Sequence, residues 1–316
     1  MKNLVKKIQN AAHEHKLWKK GFKIVLGVSG GPDSVCLLDV FTALVPKCDF
    51  ALIVTHVNYG LRGKESARDE KFVRCLAEKY GLQFEILKSK NIKINEDALR
   101  NIRYDFFEKI RRENKFDLIA VAHNADDQAE TFLMRVIRGA GLRGLCAMNF
   151  KSGNVIRPLL GVSRREILEY LEKNRLEYRI DKTNKKNIYF RNKVRNQLIP
   201  YLEKNFNPNL RRTIANSAVS IADDYELISE MAEQHQRSDN KLDADALLAF
   251  HPAIRRRIIL AAIRRVKGDI KNIEAKHIDE ILKIIVSRKN KKQTLLFQGL
   301  KIERKGDNIF MCLNQH

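Results

Sequence analysis

Apolar residues between positions 22 and 122 concentrate in short segments, most of them nearly unbroken and long enough for one strand buried on both faces. The runs at 22–28, 49–57 (Phe50, Ala51, Leu52, Ile53, Val54), 83–87 and 116–122 (Leu118, Ile119, Ala120, Val121) read as strands. Charged stretches with helical spacing separate or follow them: the segment from Val35 onward, then 66–80, 96–112 and 125–138. This alternation predicts an α/β fold with a doubly wound, mostly parallel sheet whose ligands bind beyond the carboxyl ends of the strands. From Gly161 the pattern changes. Ser163 caps a short helix over 163–174, and 187–204 is strongly basic. After Asn207-Pro208 the spacing predicts helices at 210–234, 244–250, 252–266 and 273–285, then a terminal hairpin around Lys305-Gly306-Asp307-Asn308. The pattern divides the chain into a first domain at 1–205 and a second, mainly helical domain at 206–316.

Composition sharpens this picture in four ways. A length of 316 residues suits two domains. Sixty Lys and Arg against thirty-eight Asp and Glu give a formal charge of +22, which implies a polyanionic partner, most commonly nucleic acid. No apolar stretch approaches the roughly 18 residues of a membrane span, and the amphipathic segment 1–20 lacks the apolar core of a signal peptide. Cys36, Cys48, Cys75, Cys146 and Cys312 are scattered without a C-x-x-C pair, which argues against a zinc, iron–sulfur or dithiol site. These features are those expected of a reduced cytoplasmic protein.

The first strand runs directly into Ser29-Gly30-Gly31-Pro32-Asp33-Ser34 and then into a helix. Glycines let backbone N–H groups approach a phosphate, the first helical turn offers unpaired amides, and the two serines add hydroxyls. A Walker loop would carry a lysine that is missing here. Five further clusters carry chemistry. Thr55-His56-Val57-Asn58-Tyr59-Gly60-Leu61-Arg62-Gly63 follows the second strand, where His56 is placed for a base or ribose contact or is simply structural. Arg100 and Arg103 share a helical face and can fork onto phosphates. In Ala122-His123-Asn124-Ala125-Asp126-Asp127-Gln128-Ala129-Glu130-Thr131, Asp127 and Glu130 stand three apart. They can converge on an ammonium group or, with Asp33, on Mg²⁺, although an acidic first turn with a capping box gives the same letters. Asp181-Lys182-Thr183-Asn184 and Tyr189-Phe190-Arg191-Asn192-Lys193-Val194-Arg195 interleave basic and aromatic residues as an RNA contact does. Arg255, Arg256, Arg257, Arg264 and Arg265 on the 252–266 helix suit phosphate tracking.

The order of these segments is more specific than any one of them. SGGPDS (29–34), HVNYGLRG (56–63), EDALRNIRYDFF (96–107), AHNADDQAETFLMRVIRGAGLRGL (122–145), RPLLGVSRREI (157–167), DKTN (181–184) and YFRNKVRNQLIP (189–200) together resemble the tRNA(Ile)-lysidine synthetases. These are enzymes of the PP-loop ATP pyrophosphatase class. The resemblance covers roughly residues 20–205, and with one helical domain following, the chain resembles the short form of the family. Tyr59 and Asn124 depart from the histidines expected there in many members, which puts base contacts in question more than activity.

The resemblance implies two steps. The C2 carbonyl oxygen of the wobble cytidine in the CAU anticodon of tRNA(Ile) attacks the α-phosphorus of ATP and releases pyrophosphate. The ε-amine of L-lysine then attacks C2 and AMP leaves, which changes decoding from AUG to AUA. On this chain Ser29, Gly30, Gly31, Pro32, Asp33, Ser34, His56 and Arg100 would bind ATP, with Asp33 acting through Mg²⁺, and Arg103 would stabilise the transferring phosphoryl group. Asp127 and Glu130 would bind the ammonium, one of them also serving as general base, and Arg195 would bind the lysine carboxylate. Arg191, Lys193, Arg255 and Arg256 would contact tRNA. The rivals are a tRNA-thiolating enzyme of the same loop class, an amidating synthetase, and a non-catalytic RNA-binding scaffold. Missing C-x-x-C pairs, the lack of a glutaminase-like region and the intact acids disfavour these in turn. The oligomeric state, a homodimer being one option, is not legible in the sequence.

Overall fold

The computed structural model describes residues 2–61, 63–89, 96–180, 190–235, 241–287 and 293–314. The chain forms two compact units. One comprises Met1–Ala140 and Gly144–Val219, the other Gly141–Arg143 and Ser220–His316.

In chain order the first part holds α1 (Lys2–Glu14), β1 (Lys23–Gly27), α2 (Pro32–Cys48), β2 (Ala51–Asn58), α3 (Lys64–Lys79), β3 (Gln83–Lys88), α4 (Glu96–Glu113), β4 (Leu118–Ala120) and α5 (Ala125–Ile137). There follow α6 (Leu142–Leu145), a small hairpin of β5 (Lys151–Ser152) and β6 (Val155–Ile156), and α7 (Arg164–Lys173). A continuous helical segment then comprises α8 (Phe190–Lys193), a π-helical turn (Val194–Leu198) and α9 (Ile199–Asn205). The long α10 (Leu210–Glu233) comes next, and the two units divide inside it. The sequence places the boundary at 205/206, but nothing in the composition of α10 marks a division at 219/220.

The six-stranded sheet has the order β3-β2-β1-β4-β6-β5, with β5 alone antiparallel to its neighbour. The four expected strands are present. The β5–β6 hairpin is additional, and with two residues per strand it has no period to read. Alternate residues serve opposite faces. Ile24, Leu26, Leu52, Val54, Leu118 and Ala120 enter one core with Leu37, Leu38 and Phe41 of α2. Val25, Ile53 and Ile119 enter another with Phe106, Phe107 and Ile110 of α4. Burial on both faces is why these strands read as unbroken apolar runs. Strands are added outward in both directions from β1, so the crevice of this topology opens where the connections after β1 and β4 part.

The second unit contains β7 (Lys241–Asp243), α11 (Ala244–Ala249), α12 (Pro252–Lys267), α13 (Ala275–Val286), β8 (Gln293–Phe297), β9 (Leu300–Lys305) and β10 (Asn308–Leu313). The expected terminal hairpin is β9–β10, turning at Gly306-Asp307. It lies within a four-stranded antiparallel sheet, β7-β10-β9-β8, so the domain is mixed rather than mainly helical. Ile302, Ile309 and Met311 of the sheet pack with Ile259, Ile263, Ile281 and Ile285 of the helices. Among the described residues no helix is long and apolar enough to cross a membrane.

Candidate active site

The glycine-rich turn leaves β1 and becomes α2, with Gly31 as its N-cap and Pro32 preset for the first helical position. Gly30 has φ +88°, and a Cβ there would meet the Val73 side chain at 3.3 Å, so only glycine suits it. Ser34, expected as a phosphate donor, is instead the buried pin of the loop. Its Oγ accepts from the Ser29 and Gly30 amides, both at 3.1 Å, and donates to Gly31 O at 2.9 Å. Ser29 Oγ lies 3.2 Å from it. The first ladder bond of α2 runs from Val35 N–H to Gly31 O, which leaves the Asp33 and Ser34 amides outside the ladder as anion donors.

α5 begins with a reciprocal capping box. Asn124 Oδ1 accepts the Asp127 N–H at 3.0 Å, and Asp127 Oδ2 accepts the Asn124 N–H at 3.1 Å. The Asn124 side chain also donates to Asp33 Oδ1 at 3.0 Å, and Arg164 Nη1 donates to Asp33 Oδ2 at 2.7 Å. Asp126 fixes this arrangement by accepting from the Arg164 amide at 2.9 Å and pairing with Arg211 at 3.2 Å. The sequence gives Arg164 no role. Its signal is the position just after Ser163, the cap of α7, in the segment shared with the resembling family.

The acids expected to await an ammonium group already hold two guanidinium groups. Arg195 reaches Glu130 at 2.5 and 2.9 Å and Asp127 at 2.9 Å. Arg191 reaches Glu130 at 2.8 Å and Asp127 at 2.9 Å. The expectation for Arg191, a tRNA contact, differs from this placement: its guanidinium is engaged within the acid pair and only 22 % of its side chain is exposed. Arg191 and Arg195 lie four apart on one helical segment, so both face the same pair of carboxylates. Burial alone would raise the Asp127 pKa, but Arg191, His123, Arg195 and the Asn124 N–H together hold it below the usual carboxylate range. Asp33 goes the other way. Burial raises it and the Asp127 charge adds to this, outweighing Arg164, Asn124 and Arg195.

Beside the acids lies His123, whose buried Nδ1 has no partner among the described residues. Burial pushes its pKa far down, so the imidazole is neutral near pH 7 and offers one hydrogen-bond donor and one acceptor. Tyr104 Oη and Arg157 Nε are also buried with no hydrogen bond of normal geometry among the described residues, and the two side chains lie close enough to interact with one another. Arg103 and Arg100 lie 5.7 and 5.2 Å from the Tyr104 ring. His56 is buried with Nδ1 2.9 Å from Val28 O, tying the end of β2 to β1. Tyr59 donates to Leu99 O at 2.9 Å and so anchors the connection after β2 to α4. Arg62, Asp181–Asn184 and Tyr189 lie outside the described residues. Lys193 is exposed. In the second unit Arg255 donates to Phe250 O at 2.7 Å, and Arg256 lies 3.3 Å from Asp279.

A glycine-rich anion loop at the switch point of a parallel sheet, with carboxylates converging on it, defines a PP-loop nucleotide-binding protein. Residues 1–202 match the family described as "PP-loop domain", and residues 242–310 match "TilS substrate binding domain". The chain is 37 % identical to a tRNA(Ile)-lysidine synthase of Clostridioides difficile, over 96 % of this chain and 70 % of that one. It is 39 % identical to that of Clostridium tetani, over 88 % of this chain and 62 % of that one. The chain belongs to the tRNA(Ile)-lysidine synthase family and spans about two thirds of the length of these relatives. Among solved structures, the U34-tRNA thiolase NcsA from Methanococcus maripaludis shares the fold, with a TM-score of 0.55 at 22 % identity over 74 % of this chain and 80 % of that one.

Proposed function

We propose that this chain is an ATP-dependent ligase that joins L-lysine to C2 of the wobble cytidine of tRNA(Ile) bearing a CAU anticodon. The observation that carries the reading is the junction of the anion loop with the acid pair: Asn124 bonds Asp33 and Asp127 at once. ATP would lie with its phosphates on the first turn of α2. The cytidine C2 oxygen attacks the α-phosphorus, pyrophosphate leaves, and the oxygen becomes part of a phosphate ester. Lysine Nε then attacks C2, the C2–O bond breaks, and the oxygen departs with AMP. His123, which interacts with both Asp127 and Arg103, would supply a neutral imidazole and Arg103 a cation where charge builds on the phosphoryl group.

Lysine arrives protonated, since its ordinary pKa is about 10.4. Carboxylates alone would hold that proton more tightly, but the Asp127–Glu130–Arg191–Arg195 cluster carries no net charge. Two guanidinium groups beside the ammonium push its pKa down and so favour the free amine. Arg195 can turn part of its donor fork to the lysine carboxylate while Arg191 keeps the acids paired. Asp127 or Glu130 accepts the proton.

Mg²⁺ fits Asp33. The carboxylate is a hard oxygen donor, opposed by the neighbouring Asp127 charge, and each of its oxygens keeps a second lone pair. Among the described residues no group of three His, Cys, Asp or Glu side chains forms a complete cage, so phosphate oxygens and water would complete the shell. When bound with ATP the ion would neutralise phosphate charge. The test is transfer of labelled lysine to an isoleucine tRNA with a CAU anticodon. RNA-bound label that requires ATP and vanishes in Asp33→Ala supports the reading. Release of AMP that needs tRNA but ignores lysine, or tRNA that never acquires the label, overturns it.

A further inference from the structure

The helical segment that holds the acid pair has a second working face. Phe190, Lys193, Gln197, Leu198 and Tyr201 recur at helical spacing and, with Ile137 from the end of α5, line an open cleft of about 430 Å³. This face is unusually exposed for its chemistry: Tyr201 is 59 %, Ile137 55 % and Phe190 39 % accessible. Arg138 caps one wall, its guanidinium 5.4 Å from the Phe190 ring, and the exposed Phe206 ring lies 6.1 Å from that of Tyr201. The π-helical turn Val194–Leu198 lies between the two aromatic residues, and such turns gather at functional sites.

We infer that this cleft is a stacking site for one unpaired nucleobase of the tRNA anticodon loop, a neighbour of the cytidine being modified. The inference rests on the ligase reading above and adds a second RNA subsite to it. Chemistry on a base requires that base to leave its stack, which strips its neighbours of a stacking partner. Exposed aromatic faces recover that loss for any base, because every base has a π-face. Gln197 offers an amide to a base edge, and Lys193 and Arg138 offer cations to the flanking phosphates. The lining includes no carboxylate, which suits a polyanion. A second copy of the chain packed face to face would set Lys193 and Arg138 against their own equivalents, so self-association is disfavoured. Arg191 directly follows Phe190, which puts the cleft next to the reaction centre.

The test uses the full chain and a fluorescently labelled anticodon stem-loop RNA with a CAU anticodon, read by anisotropy. Each loop base is replaced singly by an abasic ribose. With the wild-type protein, one position beside the cytidine should weaken binding roughly 5- to 150-fold, the span of one base–aromatic stack. Tyr201→Ala should weaken binding of the intact RNA by a similar factor and show no further loss with that abasic RNA, while Tyr201→Phe retains wild-type behaviour. Unchanged affinity in Tyr201→Ala, or losses that add independently at every loop position, overturns the site. A wild-type dimer that Tyr201→Ala converts to monomers in sedimentation also overturns it, in favour of a contact between copies. Labelled-lysine transfer by the wild-type protein is measured in parallel. Transfer without coupling between Tyr201 and a loop base removes only the cleft, and coupling without transfer removes only the ligase reading. No binding of the stem-loop at all overturns the cleft.

Discussion

Asn124 joins the nucleotide loop to the acid pair with a single amide: Nδ2 donates to Asp33 and Oδ1 accepts from Asp127, each at 3.0 Å. Asn124→Ala removes the cap, costing about 1 kcal/mol, and frees Asp33 to move. Displacement on the ångström scale at a reacting centre costs up to about 100-fold, so kcat/KM for lysine transfer should fall by one to two orders of magnitude. Histidine offers one donor and one acceptor nitrogen, so Asn124→His should stay within a few-fold of wild type. Steady-state kinetics of the two variants checks this, and equal losses in both would contradict it.

Asp33 should trade stability for activity. Burial and the Asp127 charge raise its pKa more than Arg164, Asn124 and Arg195 lower it. The folded chain therefore binds this proton more tightly than the unfolded chain, and ionising Asp33 costs stability as pH rises through that window. Asp33→Asn, neutral throughout, should have a higher Tm than wild type at pH 7.5 and be inactive. The gap should close as pH falls towards the unfolded carboxyl value of about 3.9. Calorimetric scans across pH 4–8 read this, and a lower Tm for the variant at pH 7.5 would contradict it.

Glu130 is 1 % exposed and paired with two arginines. Glu130→Gln leaves Arg191 and Arg195 facing one another with only Asp127 between them. Breaking a buried ion network in this way costs roughly 3–5 kcal/mol. Urea unfolding should show that loss, and at a temperature where the variant is folded the KM for lysine should rise with that for ATP little changed.

Away from the site, Asp39 of α2 accepts the Tyr80 hydroxyl at 2.7 Å and the Tyr170 hydroxyl at 2.6 Å, so it ties α2 to α7 and to the end of α3. Asp39→Ala strands both hydroxyls. Charge-assisted hydrogen bonds contribute about 1.5–3 kcal/mol each and are not additive, so a loss of roughly 2–4 kcal/mol is expected in urea unfolding. Arg256→Ala, on the second unit, should weaken tRNA binding with little effect on stability and flatten the salt dependence of binding by about one unit in log–log slope.

The parallel sheet was legible because its strands are buried on both faces, so Ile24, Leu26, Ile53 and Ile119 appear in unbroken apolar runs. The anion loop was legible because glycine, proline and a capping acid each answer a backbone requirement at its place. The partners of the acids were not. Asp127 and Glu130 stand three apart on one helix, but Arg191 and Arg195 come from more than sixty residues away, and spacing says nothing about such contacts. The intraloop bonds of Ser34 were not legible for a related reason, since a serine in an anion loop can point at the ligand or inward, and here its Oγ accepts from the loop's own amides. The β5–β6 hairpin and β7 are too short to carry a period.

The most direct test of the account follows one oxygen atom. An anticodon stem-loop or full tRNA(Ile) carrying ¹⁸O at C2 of the wobble cytidine is incubated with ATP, Mg²⁺ and L-lysine, and the AMP released is weighed by mass spectrometry. The account predicts one ¹⁸O in each AMP and an RNA that has gained the mass of one lysine less that of one ¹⁸O-labelled water, in amide-free linkage at C2. AMP without the label, or ¹⁸O retained in the RNA after lysine is added, would contradict it.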